Sequence, residues 1–326
     1  MGDLRLMWLD DPPLATVFRR RENDGEPVND RRLRKQLDRG EVVRIAPGSF
    51  AGSTAWAALT PLQQHAQRVW EMSARLHPSR VISHFAAAAL HGIDILGSWP
   101  TMLDVSIESS RGGRSSGAVR RRSRDLGAVA TQPWGRHEVT TATQTALDLM
   151  STLRFMQGVA AADQALWARR SPQPLVGVDA LAEKVEAVTG PGSARARRAA
   201  DFATSLADSV RESQSRVIIS MLGFPAPELQ ARFVLSDGRD AFTDFFWREH
   251  SHIGEFDGAG KYRDPVILAG RAREDVLLAE KDREDDLRRQ VAAFSRWRVP
   301  ALKSPRMLYD ILAGAGLPSS RPRPGR

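Results

Sequence analysis

Residues 241–262 read AFTDFFWREHSHIGEFDGAGKY. Strand-forming apolar residues crowd both halves of this stretch, and each half carries an acid, Asp244 in AFTDFFWRE and Glu255 in SHIGEFDGAGKY. The pattern predicts two hairpin-like strands. A carboxylate inside an apolar strand is costly to bury unless it is paired or holds a cation. Two of them on adjacent strands suit Mg2+ (or Mn2+), a hard ion that prefers oxygen ligands. Such an ion turns water into a nucleophile and neutralises charge developing on a phosphodiester. Asp257 lies two residues past Glu255, on the same face of a regular strand. The plain alternative for GEFDG is a tight turn in which Asp257 caps its own backbone. Lys261 follows Gly258-Ala259-Gly260, a flexible piece that can fold it back toward the same pocket.

Upstream, a helix carrying Glu212 and Arg216 is followed by a Gly223-Phe224-Pro225 turn, a strand from Gln230 to Leu235 and a turn at Ser236-Asp237-Gly238. A second informative block is PVNDRRLRKQLDRGEVVRIAPGSFA at 27–51. Asn29 or Asp30 can cap a helix over 31–39, and Gly40 sits where that helix stops. Leu33 and Leu37 form its apolar stripe, and Arg31, Arg32, Arg34, Lys35 and Arg39 cover the rest. Val42-Val43-Arg44-Ile45, the turn Pro47-Gly48 and Ser49-Phe50-Ala51 then predict a β-hairpin. A basic helix followed at once by a hairpin is the second half of a winged helix-turn-helix, with the helix in the major groove and the hairpin, through Arg44, on flanking backbone.

Between these blocks the chain predicts helices from Thr60 and over VISHFAAAALHGIDIL, the latter broken near Gly92. A strand in TMLDVSIES, a basic strand ending near Arg124 and a Thr-capped helix in EVTTATQTALDLMSTLRF follow. His84 and His91 share one helical face, and with no third ligand in view they read as structural. Two Pro/Gly/Ser clusters flank a short helix in 168–200, which reads as a linker with a domain boundary near Gly190. The expected organisation is a winged helix at 1–58, an α+β domain at 59–167, that linker, a mixed β-sheet flanked by helices at 201–318, and a disordered basic tail at 319–326.

Composition agrees with a polyanionic partner. The chain has 326 residues, a net charge of +8 and 42% apolar residues, enough to fold. Basic side chains on phosphates release condensed counterions, so this balance favours DNA. There is no cysteine, which excludes disulfides, thiolate metal sites and a Cys nucleophile. No apolar run approaches the roughly 18 residues of a membrane span. MGDLRLMWLDD lacks a secretory pattern, and Met7 stands where a myristoylation motif wants Ser or Thr. The expectation is a cytoplasmic protein that does not engage membranes.

The motifs ESQSR (212–216), GFPAPELQ (223–230), TDFFW (243–247) and GEFDGAGKY (254–262) resemble the C-terminal domain of a large actinobacterial family. That domain is related to the very-short-patch-repair endonucleases, a branch of the PD-(D/E)XK fold. EKDREDDLRR (280–289) and FSRWRV (294–299) are similar to its closing helix and strand. RRLRKQLDRGEVVRIAPGSFA, VISHFAAAALHGIDI and VTTATQTALDL resemble the AbiEi-type antitoxin winged-helix region. The two resemblances run from about Pro27 to Gly316.

The resemblance implies Asp244 as the central metal ligand, Glu255 as the second and Glu212 as the residue that completes or orients the site. It also implies a defence or toxin–antitoxin setting, with a toxin encoded nearby as a partner. One departure stands out: a (D/E)XK motif puts Lys two residues after Glu255, where this chain has Asp257. Either Lys261 supplies a migrated cation, or Asp257 is a third acidic ligand, or activity is lost. The function expected is a DNA-binding protein with a Mg2+-dependent endonuclease domain. Its alternative is an antitoxin or transcriptional regulator with an inactive nuclease fold.

Overall fold

A computed structural model describes residues 17–19, 30–108, 115, 117–258 and 273–325. The chain is mixed α+β and divides into two compact units, one running to Ala203 and the other from Thr204 onward, with Trp167–Arg169 belonging to the second.

Unit 1 begins with a small sheet of β1 (Val17–Arg19), β2 (Val42–Ala46) and β3 (Ser49–Gly52), in the order β1-β3-β2. Helix α1 (Asp30–Asp38) ends just before Gly40, which takes a positive φ of 67°. Leu33 is the residue α1 buries, against Val42, Phe50 and Phe18, whereas Leu37 is 36% exposed. The helix therefore lies on the hairpin by a narrow seam and turns its basic side chains outward.

Helices α2 (Ser53–Ala58) and α3 (Pro61–Ser73) follow, α3 starting at Thr60 with a reciprocal capping box to Gln63. A five-stranded sheet comes next, in the order β6-β5-β4-β8-β7: β4 Val81–Ile82, β5 Leu103–Ile107, β6 Val119–Ser123, β7 Thr131–Trp134 and β8 His137–Thr140. Helix α4 (His84–His91) stops at left-handed Gly92, as its glycine predicts. His91 Nε2 bonds the Thr140 carbonyl at 2.7 Å, a structural role. Ala46 of the hairpin packs into the same core as Val69, Met72, Ile82, Leu90 and Val105, so the head and the α/β body share one interior. The Arg75 guanidinium also donates to the Pro47 carbonyl at the hairpin turn, and Ser49 Oγ donates to Glu71 at 3.0 Å.

The 168–200 stretch is not a linker. Helices α5 (Ala142–Thr152) and α6 (Phe155–Leu166) are joined by α7 (Val178–Ala187) and α8 (Ser193–Phe202). Leu181 and Val185 of α7, like Ala196 and Ala199 of α8, are buried, so each short helix contributes an apolar stripe to unit 1. The Pro/Gly clusters are the turns around these helices, and the division falls at Ala203/Thr204.

Unit 2 has helix α9 (Val210–Met221) and a four-stranded sheet, β12-β11-β10-β9, from β9 (Glu228–Val234), β10 (Asp240–Trp247), β11 (His252–Phe256) and β12 (Ala293–Trp297). Strands β9 to β11 are antiparallel; β12 lies parallel to β11 after helix α10 (Arg273–Arg289). Leu287 of α10 packs with Ile253 and Phe246. The next residue, Gly254, faces the other side, where Trp297 donates to Ser215 of α9 at 2.9 Å. A Cβ on Gly254 would stand 2.8–2.9 Å from the rings of Trp297 and Trp247. Gly254→Ala is expected to destabilise unit 2 by about 1–3 kcal/mol, read as a lower denaturant midpoint; an unchanged midpoint would refute this packing.

The tail expected to be disordered is docked instead. After helices α11 (Val299–Lys303) and α12 (Pro305–Gly314), Ser319 Oγ, Ser320 N and Arg321 Nη1 donate to the carbonyls of Leu222, Gly223 and Met221 at 2.7–2.9 Å. Carbonyls left without helical partners at the end of α9 find their donors here. Arg323 closes the segment on Asp310.

Candidate functional site

The paired strands β10 and β11 position the two predicted acids. Their register sets Phe245 against Gly254 and Phe246 against Ile253. One step further it places Asp244 opposite Glu255. Like charges directly opposed on adjacent strands repel, and their side chains go to different partners. Asp244 Oδ2 accepts the Phe256 N–H at 2.8 Å. Glu255 accepts from Arg283 Nη2 at 2.7 Å and from Arg296 Nη2 at 2.9 Å.

The reason for this separation is topological. Arg296 is Glu255's neighbour on parallel β12, and Arg283 descends from α10. Glu280 and Glu284 complete the network, at 3.0 Å from Arg283 and 2.9 Å from Arg296. Glu255 is thus neutralised by two guanidinium groups rather than gathered with the other acids. Among the described residues, no three His, Asp or Glu side chains form a group able to hold a metal ion.

Glu212, expected as the supporting acid, lies near enough to Asp244 to feel its charge. It is buried at the start of α9, one turn after the N-cap Ser209. Its carboxylate accepts from Ser209 Oγ and the Asp208 N–H, both at 2.8 Å. Burial and then the charge of Asp244 push its carboxyl up to about 8, against the opposing pull of the Ser209 and Asp208 hydrogen bonds. The Glu212 position is also an ordinary capping position, so part of this bonding serves the helix start.

Gln230 is the residue that the sequence did not single out. It lies opposite Asp244 on β9, adopts φ 53°, and donates to Glu212 Oε2 at 3.4 Å. The β9–β10 pairing steps from Thr243↔Ala231 to Phe245↔Leu229 across this point. A left-handed non-glycine costs on the order of 1 kcal/mol or more, and here the strain sits beside the carboxylate pair. Asp257 continues the strand by donating its N–H to the Trp297 carbonyl, and its carboxylate pairs with Arg298 at 2.6 Å. Lys261 lies outside the described residues.

The donor set of Glu212 and Asp244 fits a hard divalent cation. Mg2+ is commonly held by one or two carboxylates, with water and substrate phosphate filling the remaining positions. A buried Glu212 whose carboxyl is held up by burial and by the charge of half-buried Asp244 is relieved by such an ion. Gln230 adds a neutral amide beside them.

In unit 1 the predicted DNA-contacting residues Arg31, Arg32, Arg34, Lys35, Arg39 and Arg44 are all exposed. Arg39 lies 3.7 Å from Glu41 across a surface where such a pair adds little. At the hairpin turn, Pro47-Gly48 is held against Arg75, and a Cβ on Gly48 would meet Arg75 Nη2 at 2.8 Å. Arg44, on the strand, remains exposed. No helix among the described residues is long and apolar enough to cross a membrane.

The chain matches no family model and no curated protein.

Proposed function

We propose that the protein binds duplex DNA through α1 and Arg44, and that unit 2 is a PD-(D/E)XK-like domain hydrolysing DNA phosphodiesters with a divalent cation at Glu212 and Asp244. The observation that carries the second half is the buried Glu212 carboxyl, pushed up to about 8 by burial and by the charge of nearby Asp244. When bound, the cation supplies an activated water and offsets charge on the phosphate. Asp244, fixed by the Phe256 N–H, would be the anchoring ligand, and Glu212 would join it once its proton had passed to solvent. Lys261 is assigned to the phosphate or the attacking water, as its place after Gly258-Ala259-Gly260 suggests.

Glu255 changes role in this reading. With Arg283 and Arg296 it forms a charged clamp between β11, β12 and α10 and is not a ligand. The same clamp favours a second reading, an antitoxin or transcriptional regulator whose nuclease-like unit only binds, because it removes one carboxylate from the expected set. A toxin encoded nearby would be the partner in that case.

Plasmid and single-stranded DNA incubated with Mg2+ or Mn2+ separate the two. Cleavage by the wild type that is lost in Asp244→Ala, with duplex binding retained, is the expected result. Retained binding with no cleavage under either ion would transfer the case to the regulator. Cleavage that survives Asp244→Ala would remove the site assigned here.

A further inference from the structure

Unit 1 contains a cavity of about 320 Å3 that the DNA-binding reading does not use. It opens between the 3-10 turn Leu126–Ala128, helix α5 and the last turn of α7. Two cationic side chains, Arg124 and Lys184, stand on its lining together with the amide of Gln144, and Val129, Leu147 and Val188 supply apolar wall. Such a volume lies at the small end of ordinary ligand sites, which combine an apolar wall with a few placed polar groups.

The polar groups are set from behind. Asp148, 4% exposed, accepts from Arg124 Nη1 and from Gln144 Nε2, each at 2.8 Å, and so fixes both side chains at the cavity wall. Lys184 has no carboxylate within ion-pair distance among the described residues. The lone acid of the lining, Asp125, spends one oxygen on the Gly127 N–H at 2.9 Å. The apolar wall is fixed too. Arg197 Nη2 donates to the Val188 carbonyl at 2.7 Å, and left-handed Gly192 is so close to Ser151 that a Cβ would meet its carbonyl oxygen at 2.6 Å. These are the marks of a preformed space with positive charge and an apolar side.

We propose that this cavity binds a small organic anion, a carboxylate or phosphate monoester carried on a ring-sized apolar body. The anionic group lies between Arg124 and Lys184, where a guanidinium already oriented by Asp148 offers its remaining N–H donors. The ring lies on Val129, Leu147 and Val188. Nothing in this assignment depends on the carboxylate pair of unit 2, so either can fail without the other.

Isothermal titration of the full-length chain tests it with four probes: adenosine monophosphate, benzoate, inorganic phosphate and uncharged adenosine. Binding of the monophosphate or of benzoate is expected, with free phosphate weaker and adenosine silent; which of the first two binds tells phosphate from carboxylate. Lys184→Glu reverses one charge on a partly exposed side chain and is expected to weaken the bound probe at least tenfold, about 1.4 kcal/mol. Ala187→Trp, on the exposed side of α7 at the cavity lining, is expected to weaken it with the charges intact. Melting curves confirm that both variants fold. No heat from any probe at millimolar concentration, adenosine binding as well as its monophosphate, or affinities unmoved in both variants would overturn the assignment.

Discussion

In 0.1 M salt, replacing Arg31, Arg34 and Lys35 together by Ala is expected to cost the protein roughly two to three decades of affinity for duplex DNA. Each basic side chain on a phosphate contributes about 0.9 to the slope of log K against log salt, so the three together flatten it by roughly 2.7. These side chains are exposed on α1, and the helix rests on the hairpin through Leu33, which the substitutions leave untouched. Alanine is also the better helix former, so the fold is expected to survive. Arg44→Ala is expected to lower affinity evenly across sequences, as a backbone contact does. Filter-binding or anisotropy titrations over a salt series measure both quantities. An unchanged slope in the triple variant would mean that DNA, if bound at all, meets another surface.

The metal-free protein is expected to lose stability as pH rises from about 5 to 8, and Mg2+ or Mn2+ is expected to restore it. The sign follows from Glu212. Its carboxyl titrates near 8 in the folded chain and near 4.3 when unfolded. Between those values the native state holds a proton that the unfolded state has released, so stability falls with pH. The full effect is on the order of a few kcal/mol at about 1.4 kcal/mol per unit. Above pH 8 the loss is complete and the site carries both negative charges, which is where a cation stabilises most. Glu212→Gln is expected to flatten the pH profile. Asp244→Asn is expected to abolish the cation response without weakening the metal-free protein, because it removes a repelling charge at nearly constant volume. Melting temperatures measured across pH with and without millimolar cation decide the matter. A flat wild-type profile, or a cation response that survives Asp244→Asn, would show that the pair is not the binding site.

What the sequence discloses here is what lies close together along the chain. The Thr60 and Thr141 caps, the stop at Gly92, the helix–hairpin order of 31–51 and the adjacency of the strands holding Asp244 and Glu255 all depend on residues a few positions apart. The arginines on Glu255 come from 28 and 41 residues away. Within EKDREDDLRR, Arg283 looks like one more member of a solvated charge run. Gln230's left-handed backbone had no local signal, since nothing in ELQARF asks for it. The Pro/Gly content around α7 and α8 outweighed a legible stripe, Leu181 and Val185 four apart, and the Arg/Pro composition of the tail concealed the hydrogen bonds that Ser319, Ser320 and Arg321 make to the end of α9.

The shared interior of head and body has a mechanical consequence. A reader domain on a loose tether can tilt to follow a curved or slightly slipped operator, at the cost of freezing its own orientation on arrival. Here Ala46 lies in the body's core and Arg75 bolts down the hairpin turn, so that orientation is settled when unit 1 folds. With α1 as the reading element proposed above, misfit would have to be absorbed by the duplex. Bending a site of 20–30 base pairs through a sizeable angle costs roughly 1–6 kcal/mol and depends on which steps are flexible. Such a stiff reader would make the elasticity of DNA part of its sequence preference, including at base pairs it never touches.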